Sequence, residues 1–440
     1  MLILLLFTLT ACTTSPEEVH DWDDYDPFDA PAPQAAVPLS TLLPPTRAAG
    51  ETISTPTPNS ARFATADQQA SGFKIIPNSE LVYGPASLLL DMDIYLKSKD
   101  GYIKNYTQEV DGEILSGTEI ITRVAQDYSV NPRLLLALLE YQSGWVTEAY
   151  PAETDFPMRY YMEWYAGLYR QLVWTANELN RGYYLWRADA VREWTLVDGD
   201  VVAVNPNINA GTAALQNYFA ILYTRETWDY DVSDEGFFAT YQSLFGYPFD
   251  YAIEPLVPVG LKQPQLTLPF ERGETWSLTG GPHGGWDDGS GWAALDFASG
   301  EPQGCVPAEA WAVAAAPGVI VRAKNGAVIL DLDGDGYEQT GWVLLYMHMG
   351  TDGRVRSGSK LEAGEKIGHP SCEGGVSNAA HLHFARRYNG EWIPADGNIP
   401  FILDGWVSSG TGIAYNGYLR KGDQSVEAWD AQNPLNEIKR

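Results

Sequence analysis

Basic residues are scarce in this 440-residue chain: 28 lysines and arginines stand against 57 aspartates and glutamates, a net charge of −29 at pH 7. That balance excludes a binder of nucleic-acid backbones, which needs clustered lysine and arginine, and a polybasic membrane-surface mode. Cysteine is scarcer still, with three in all, too few for a disulfide-rich scaffold. No uninterrupted apolar run reaches the roughly 18 residues of a membrane-spanning helix. What the chain does have is 45% hydrophobic residues and length enough for two or three domains, so it is globular and multidomain.

Residues 1–11, MLILLLFTLTA, form a short apolar run that closes on small residues, with Cys12 directly after it. Leu9-Thr10-Ala11-Cys12 resembles the lipobox of bacterial lipoproteins. The resemblance implies cleavage before Cys12, lipid on that residue, and an exported chain anchored to the bacterial membrane, facing the cell wall or periplasm. Residues 12–77 read as a flexible tether: Glu17, Glu18, Asp21, Asp23, Asp24, Asp26 and Asp29 are followed by a stretch rich in Pro, Ala, Thr and Ser. Such a composition buries too little apolar surface to offset its ordering entropy.

Residues 78–250 read as helical and aromatic. Ile120, Ile121, Val124 and Ala125 recur at helical spacing, and Asn131-Pro132 supplies a helix cap and first position. The run from Arg133 to Leu139 is apolar nearly all round and is predicted to be buried, with Gly144 as its stop. The Asn131–Gly144 stretch, with Asn207-Ile208 to Gly211 further on, resembles the lysozyme-like domain of lytic transglycosylases. In that alignment the catalytic carboxylate falls on Gln142, whose amide cannot act as a general acid. Glu140 lies about 200° around the helix from it. The segment is therefore read as a non-catalytic glycan-positioning module or a purely structural helical domain, with a glycan-cleaving activity as the third alternative, against which Gln142 argues. Tyr160, Tyr161, Trp164, Tyr165, Tyr169, Trp174, Tyr183, Tyr184 and Trp186 fit a sugar-stacking groove and a packed core equally well.

Residues 251–265 read as a linker, 266–425 as an antiparallel β domain and 426–440 as a tail. Asn325-Gly326 between two β-rich runs is a hairpin signal. Five of the six histidines lie in this domain: His283, His348, His369, His381 and His383. In an extended His381-Leu382-His383 both imidazoles share one face of a strand. Zinc favours imidazole and carboxylate ligands, and Gly281-Pro282-His283 and Leu295-Asp296-Phe297 are the natural suppliers of the remainder.

These stretches, with Ala316-Pro317-Gly318-Val319-Ile320, Leu345-Tyr346-Met347-His348 and the glycines that follow, resemble in order the lysostaphin/LytM-like zinc endopeptidases. The resemblance implies a duplicated hybrid β fold in which His283, Asp296 and His383 hold Zn²⁺, His381 is the general base, and His348 orients it or stabilises the oxyanion. His283 and Asp296 are thirteen positions apart, more than is common in that family, so the insert must loop out, and Asp287 and Asp288 within it are competing ligands. His369 has no family role.

Cys305 and Cys372 are the two cysteines left after Cys12, and in an exported protein they suggest a disulfide, with free thiols or metal ligands as alternatives. Asp331, Asp333 and Asp335 alternate as in a calcium loop. The twelfth position would be Trp342, so a full EF-hand is excluded; a Ca²⁺-stabilised loop remains beside the default of an acidic turn. The expectation is a monomeric zinc endopeptidase acting on peptidoglycan cross-links and held to the membrane by lipid. Its rival is a silent scaffold that binds peptidoglycan and activates another wall hydrolase.

Overall fold

A computed structural model describes residues 69–300 and 304–440, and the leader, Cys12 and most of the proposed tether lie outside them. The helical part contains α1 (Met92–Lys97), α2 (Gly117–Tyr128), α3 (Pro132–Ser143), α4 (Leu168–Arg187), α5 (Ala210–Leu222), α6 (Arg225–Asp231) and α7 (Phe237–Phe245). Local chemistry sets these ends. Ser116 and Glu119 form a reciprocal capping box at α2. Asn131 accepts the N–H of Arg133 (3.0 Å) ahead of Pro132 at the start of α3. Gly144 ends α3 in the left-handed region at φ 72°.

As its composition predicts, α3 is central: Leu134 to Leu139 have no exposed surface. Most of the aromatic run is core as well. Trp174, Tyr183 and Tyr184 are buried, and Tyr160 stacks on Trp174 at 4.0 Å. None of the helices in the described residues is long and apolar enough to cross a membrane.

Two segments depart from the sequence reading. Residues 69–77, assigned to the tether, belong to the fold: Ala70, Ile75 and Ile76 are buried in the helical core. Their apolar side chains outweigh the polar composition of the stretch before them. The tail 426–440 is likewise structured, because Glu437–Lys439 adds a strand to the main sheet.

That sheet has nine strands: β1 (Thr275–His283), β2 (Ala294–Ala298), β3 (Gly318–Lys324), β4 (Ala327–Asp331), β5 (Trp342–Met347), β6 (Lys360–Leu361), β7 (Leu382–Tyr388), β8 (Glu391–Trp392) and β9 (Glu437–Lys439). Their order is β6-β3-β4-β5-β7-β2-β1-β9, with β8 on β7, and every ladder is antiparallel. Asn325 and Gly326 turn β3 into β4 with φ of 52° and 71°, the type I′ geometry their pairing predicts. A separate four-stranded sheet spans residues 402–427.

The two faces of the large sheet have different neighbours. Val328, Leu330, Leu344, Tyr346, Leu382 and Phe384 form the core of the β part itself. The alternate residues Ala327, Ile329, Val343, Leu345, Met347 and Ala385 join one continuous core with the helices. Residues expected to be separate domains on a linker therefore share a hydrophobic core. Polar contacts close its margin: Arg322 donates to Asp127 (2.6 Å), Arg187 to Glu391 (2.6 Å), and the Trp392 N–H to the Tyr184 hydroxyl (2.8 Å).

Candidate metal centre

Three strands bring the chemistry together. In the ladder between β7 and β2, His383 lies directly opposite Asp296, where cross-strand side chains approach most closely. His283 ends β1, on the other side of β2. A Cβ at Gly280 would sit 2.5 Å from Asp296 Oδ2, so the backbone of β1 can approach that carboxylate only as glycine.

The donor atoms converge. Asp296 Oδ1 lies 3.3 Å from His283 Nε2 and 3.3 Å from His383 Nδ1, and the two nitrogens are 3.0 Å apart. Donors around a tetrahedral ion at ~2.0–2.1 Å would be separated by roughly 3.3 Å. Asp296 Oδ1 is buried without a hydrogen-bond donor, which is costly unless a cation faces it. The opposite ring nitrogens are committed to carbonyls, His283 Nδ1 to Gly281 (2.8 Å) and His383 Nε2 to Gly285 (3.1 Å). Those bonds leave each inward nitrogen as a lone-pair donor. Burial works to raise the Asp296 pKa, but in the absence of a cation the imidazoles of His283 and His381, when protonated, hold the carboxyl well below its usual range.

His381 and His348 stand beside this triad, their rings 4.6 Å apart. His381 Nδ1 is bound to the Ala379 carbonyl (2.9 Å), and its Nε2 lies 3.7 Å from Asp296 Oδ1. His348 sits in the left-handed region at φ 64°, with Nδ1 3.2 Å from the Glu373 carbonyl. Burial first, then the neighbouring His381 and His383, push His348 down to about 3, so it is neutral at physiological pH.

The remaining candidates lie elsewhere. Asp287 accepts the Tyr128 hydroxyl (3.0 Å), and Asp288 accepts Asn177 (2.7 Å) and Arg181 (2.7 Å), so both competing acids point to the helical part. His369 packs on Trp311 at 3.7 Å. Cys305 and Cys372 form a disulfide, next to Glu373, whose carbonyl contacts His348. Asp331, Asp333 and Asp335 cluster in the turn after β4, where the Asp331 carboxylate is taken up by the N–H groups of Asp333, Gly334 and Gly336.

One neighbour escaped the sequence reading. Tyr415 stacks on His283 with ring centroids 4.2 Å apart, its carbonyl accepting the Gly281 N–H (2.7 Å). It arrives from a turn of the four-stranded sheet, and no local motif marks it.

Comparison with known proteins fits this geometry. The family described as "Peptidase family M23" matches residues 305–394, and "LasA, N-terminal domain" matches residues 74–257. The C-terminal region carries a peptidase family M23 domain. His348, His381 and His383 fall within the M23 match, and His283 and Asp296 precede it.

Protease LasA of Pseudomonas aeruginosa PAO1 is 26% identical over 297 residues, covering 61% of this chain and 66% of that one. Protease LasA of strain UCBPP-PA14 is 25% identical over 348 residues, 73% and 75% of the two chains. The chain thus spans just under two thirds of one relative and three quarters of the other. Among solved structures, the deep-sea M23 metalloprotease pseudoalterin is 23% identical with a TM-score of 0.31, over 38% of this chain and 96% of that one. The catalytic domain of lysostaphin from Staphylococcus simulans is 26% identical with a TM-score of 0.20, over 27% and 87%.

Proposed function

We propose that the chain is a zinc-dependent endopeptidase that hydrolyses peptide cross-links of peptidoglycan. The observation that carries this reading is the convergence of His283 Nε2, Asp296 Oδ1 and His383 Nδ1, with an unpartnered buried carboxylate oxygen at the meeting point. Zinc held by those three donors would supply a Lewis acid for the scissile carbonyl and an acidified water.

The chain's own residues do the rest. The carbonyl of Ala379 holds a proton on His381 Nδ1, which leaves Nε2 as the basic atom facing the centre, the arrangement a general base needs. His348, neutral and with Nδ1–H directed at Glu373, presents an accepting Nε2. That favours orientation of the water over donation to an oxyanion.

The helical part is non-catalytic in this reading. Gln142 is an amide held between Tyr218 and Tyr223. Glu140 is spent on the N–H groups of Val146 (2.9 Å) and Thr147 (3.0 Å). Its role would be to position the chain on glycan, with Tyr150 and Tyr161 as its solvent-facing rings. Lipid on Cys12 would keep a monomeric enzyme at the membrane, facing the wall.

The test is incubation of the purified chain with peptidoglycan and mass spectrometry of the released fragments, beside chelated and His381→Ala samples. New peptide termini that vanish in both controls support the reading. Bound zinc without cleavage would replace it with the scaffold that activates another hydrolase.

A further inference from the structure

We propose that the cavity beside the four-stranded sheet is a binding site for a multivalent oxyanion, a ligand carrying two or more phosphate or carboxylate groups. The cavity measures about 740 Å³ and is lined by Arg272, Lys421, Lys439 and Arg440, with Asp404 as the only acidic side chain of its lining. In a chain where acids outnumber bases two to one, 57 to 28, such a concentration of cations runs against composition.

Pairing within the fold does not account for it. Asp404 is shared between the Leu268 N–H (2.9 Å) and Arg440 Nε (3.7 Å). Among the described residues no carboxylate lies within ion-pair distance of Arg272, Lys421 or Lys439. Arg440 feels the crowding: burial, and then the like charge of Arg272, hold its guanidinium below the ordinary value despite Asp404.

A fifth cation stands behind the wall. Arg386, on β7, is fully buried and has no carboxylate partner among the described residues; its guanidinium donates to Gln263, which lines the cavity, and to the carbonyls of Pro400 and Pro394. Positive charges that converge in a concave, partly desolvated site focus a field that a mobile anion relieves. Asp404 and the α-carboxylate of Arg440, which accepts the Gly273 N–H (3.0 Å), leave two of the four lining cations unbalanced, so the ligand carries at least two negative charges. A volume of this size accommodates a small molecule or the end of a polymer.

The site is separate from the metal centre. Arg272 precedes β1 and Lys439 pairs with Thr275 at its start, whereas His283 ends the strand, roughly 26 Å away at 3.3 Å per residue. The proposal does not depend on zinc.

Titration calorimetry on the full chain tests it, with fructose 1,6-bisphosphate, tetraglutamate and inorganic phosphate as probes. A divalent or polyvalent probe should bind with unit stoichiometry, at least tenfold tighter than inorganic phosphate, and should weaken as salt rises. Tighter binding of the bisphosphate identifies phosphate as the ligand chemistry; tighter binding of tetraglutamate identifies carboxylate. Lys421→Glu with Lys439→Glu, both exposed, should weaken binding at least tenfold. Lys97→Glu with Lys99→Glu, the same charge change at the end of α1 and just beyond it, should change it less than twofold. The proposal is overturned if no polyvalent probe binds at millimolar concentration, or if the two double variants lose affinity equally while melting as the parent does.

Discussion

His383 Nε2 lies 3.1 Å from the carbonyl oxygen of Gly285, so the loop that leaves His283 also orients the imidazole on a neighbouring strand. That loop is held in turn by the helical part. Asn177 donates to Asp288 (2.7 Å) and accepts the Gly289 N–H (2.8 Å), while Arg181 donates to Asp288 (2.7 Å). Removing a partner that orients a metal-binding histidine commonly lowers affinity by ~10–100-fold. Asn177 acts one step further out, so Asn177→Ala should weaken zinc binding by about tenfold in a chelator competition, while His383→Ala abolishes it. Unchanged affinity in Asn177→Ala would mean that the loop holds itself, through the Trp286 N–H bond to Ser290 (2.9 Å).

The same loop carries a pH dependence. Burial, and then the charge of Asp288, raise Asp287 to about 7, against about 3.9 for a free side chain. The folded state therefore binds a proton that the unfolded state has released. The stability gained is complete below about pH 4 and is lost as pH rises through 7. Asp287→Asn is neutral throughout and keeps an acceptor for Tyr128, and asparagine tolerates the local φ of 56°. Its melting temperature should match the parent near pH 4 and exceed it at pH 8. Parallel melting curves across that range would rule out Asp287 as the titrating group.

Much of this centre was legible in the chain because its donors sit in short local patterns. His381-Leu382-His383 and Leu295-Asp296-Phe297 each place one donor on a strand, and a strand's period of two needs no tertiary information. Asn325-Gly326, Asn131-Pro132 and Gly144 were readable for the same reason. What escaped is long-range. Tyr415 reaches His283 across 132 positions, and Asn177 reaches Gly289 across 112. The packing of the helical part on the sheet was not readable either, since alternate residues of β4, β5 and β7 read as one apolar strand face whether a helix or a second sheet covers it. Gln142 is the converse case: the proposal that the helical part is non-catalytic turns on one amide at one position.

The disulfide should matter for stability more than for assembly of the donors. Cys305 and Cys372 close a loop with a sequence separation of 67, and removing a native bridge typically costs 2–5 kcal/mol. Paired substitution to serine should lower the melting temperature by several degrees and remove the parent's sensitivity to reductant. Zinc stoichiometry should stay at one per chain, because His283, Asp296 and His383 all lie outside the bridged segment's two ends. Loss of zinc in a variant that still melts cooperatively would instead assign the bridge to the centre, through Glu373 and His348.

Arg322 is the residue on which the union of the two parts can be tested. It leaves β3 to meet Asp127 of α2 at 2.6 Å and Glu338 at 3.2 Å, and all three side chains are largely shielded from water. Glu338 retains Arg387 at 2.7 Å, whereas Asp127 keeps only Arg123 at 3.8 Å. Truncation to alanine therefore leaves a buried carboxylate poorly compensated, a change that costs ~3–5 kcal/mol when one partner of a buried pair is removed. Because the helices and the sheet share one apolar core, Arg322→Ala should shift a single unfolding transition to lower denaturant, with tryptophan fluorescence and far-ultraviolet circular dichroism still moving together. Arg322→Met, which restores much of the stem's packing, should recover less than half of the loss if the charge is what matters. Two separated transitions in the parent would show that the helical and β parts fold independently, and the shared core would then be a docking surface between them.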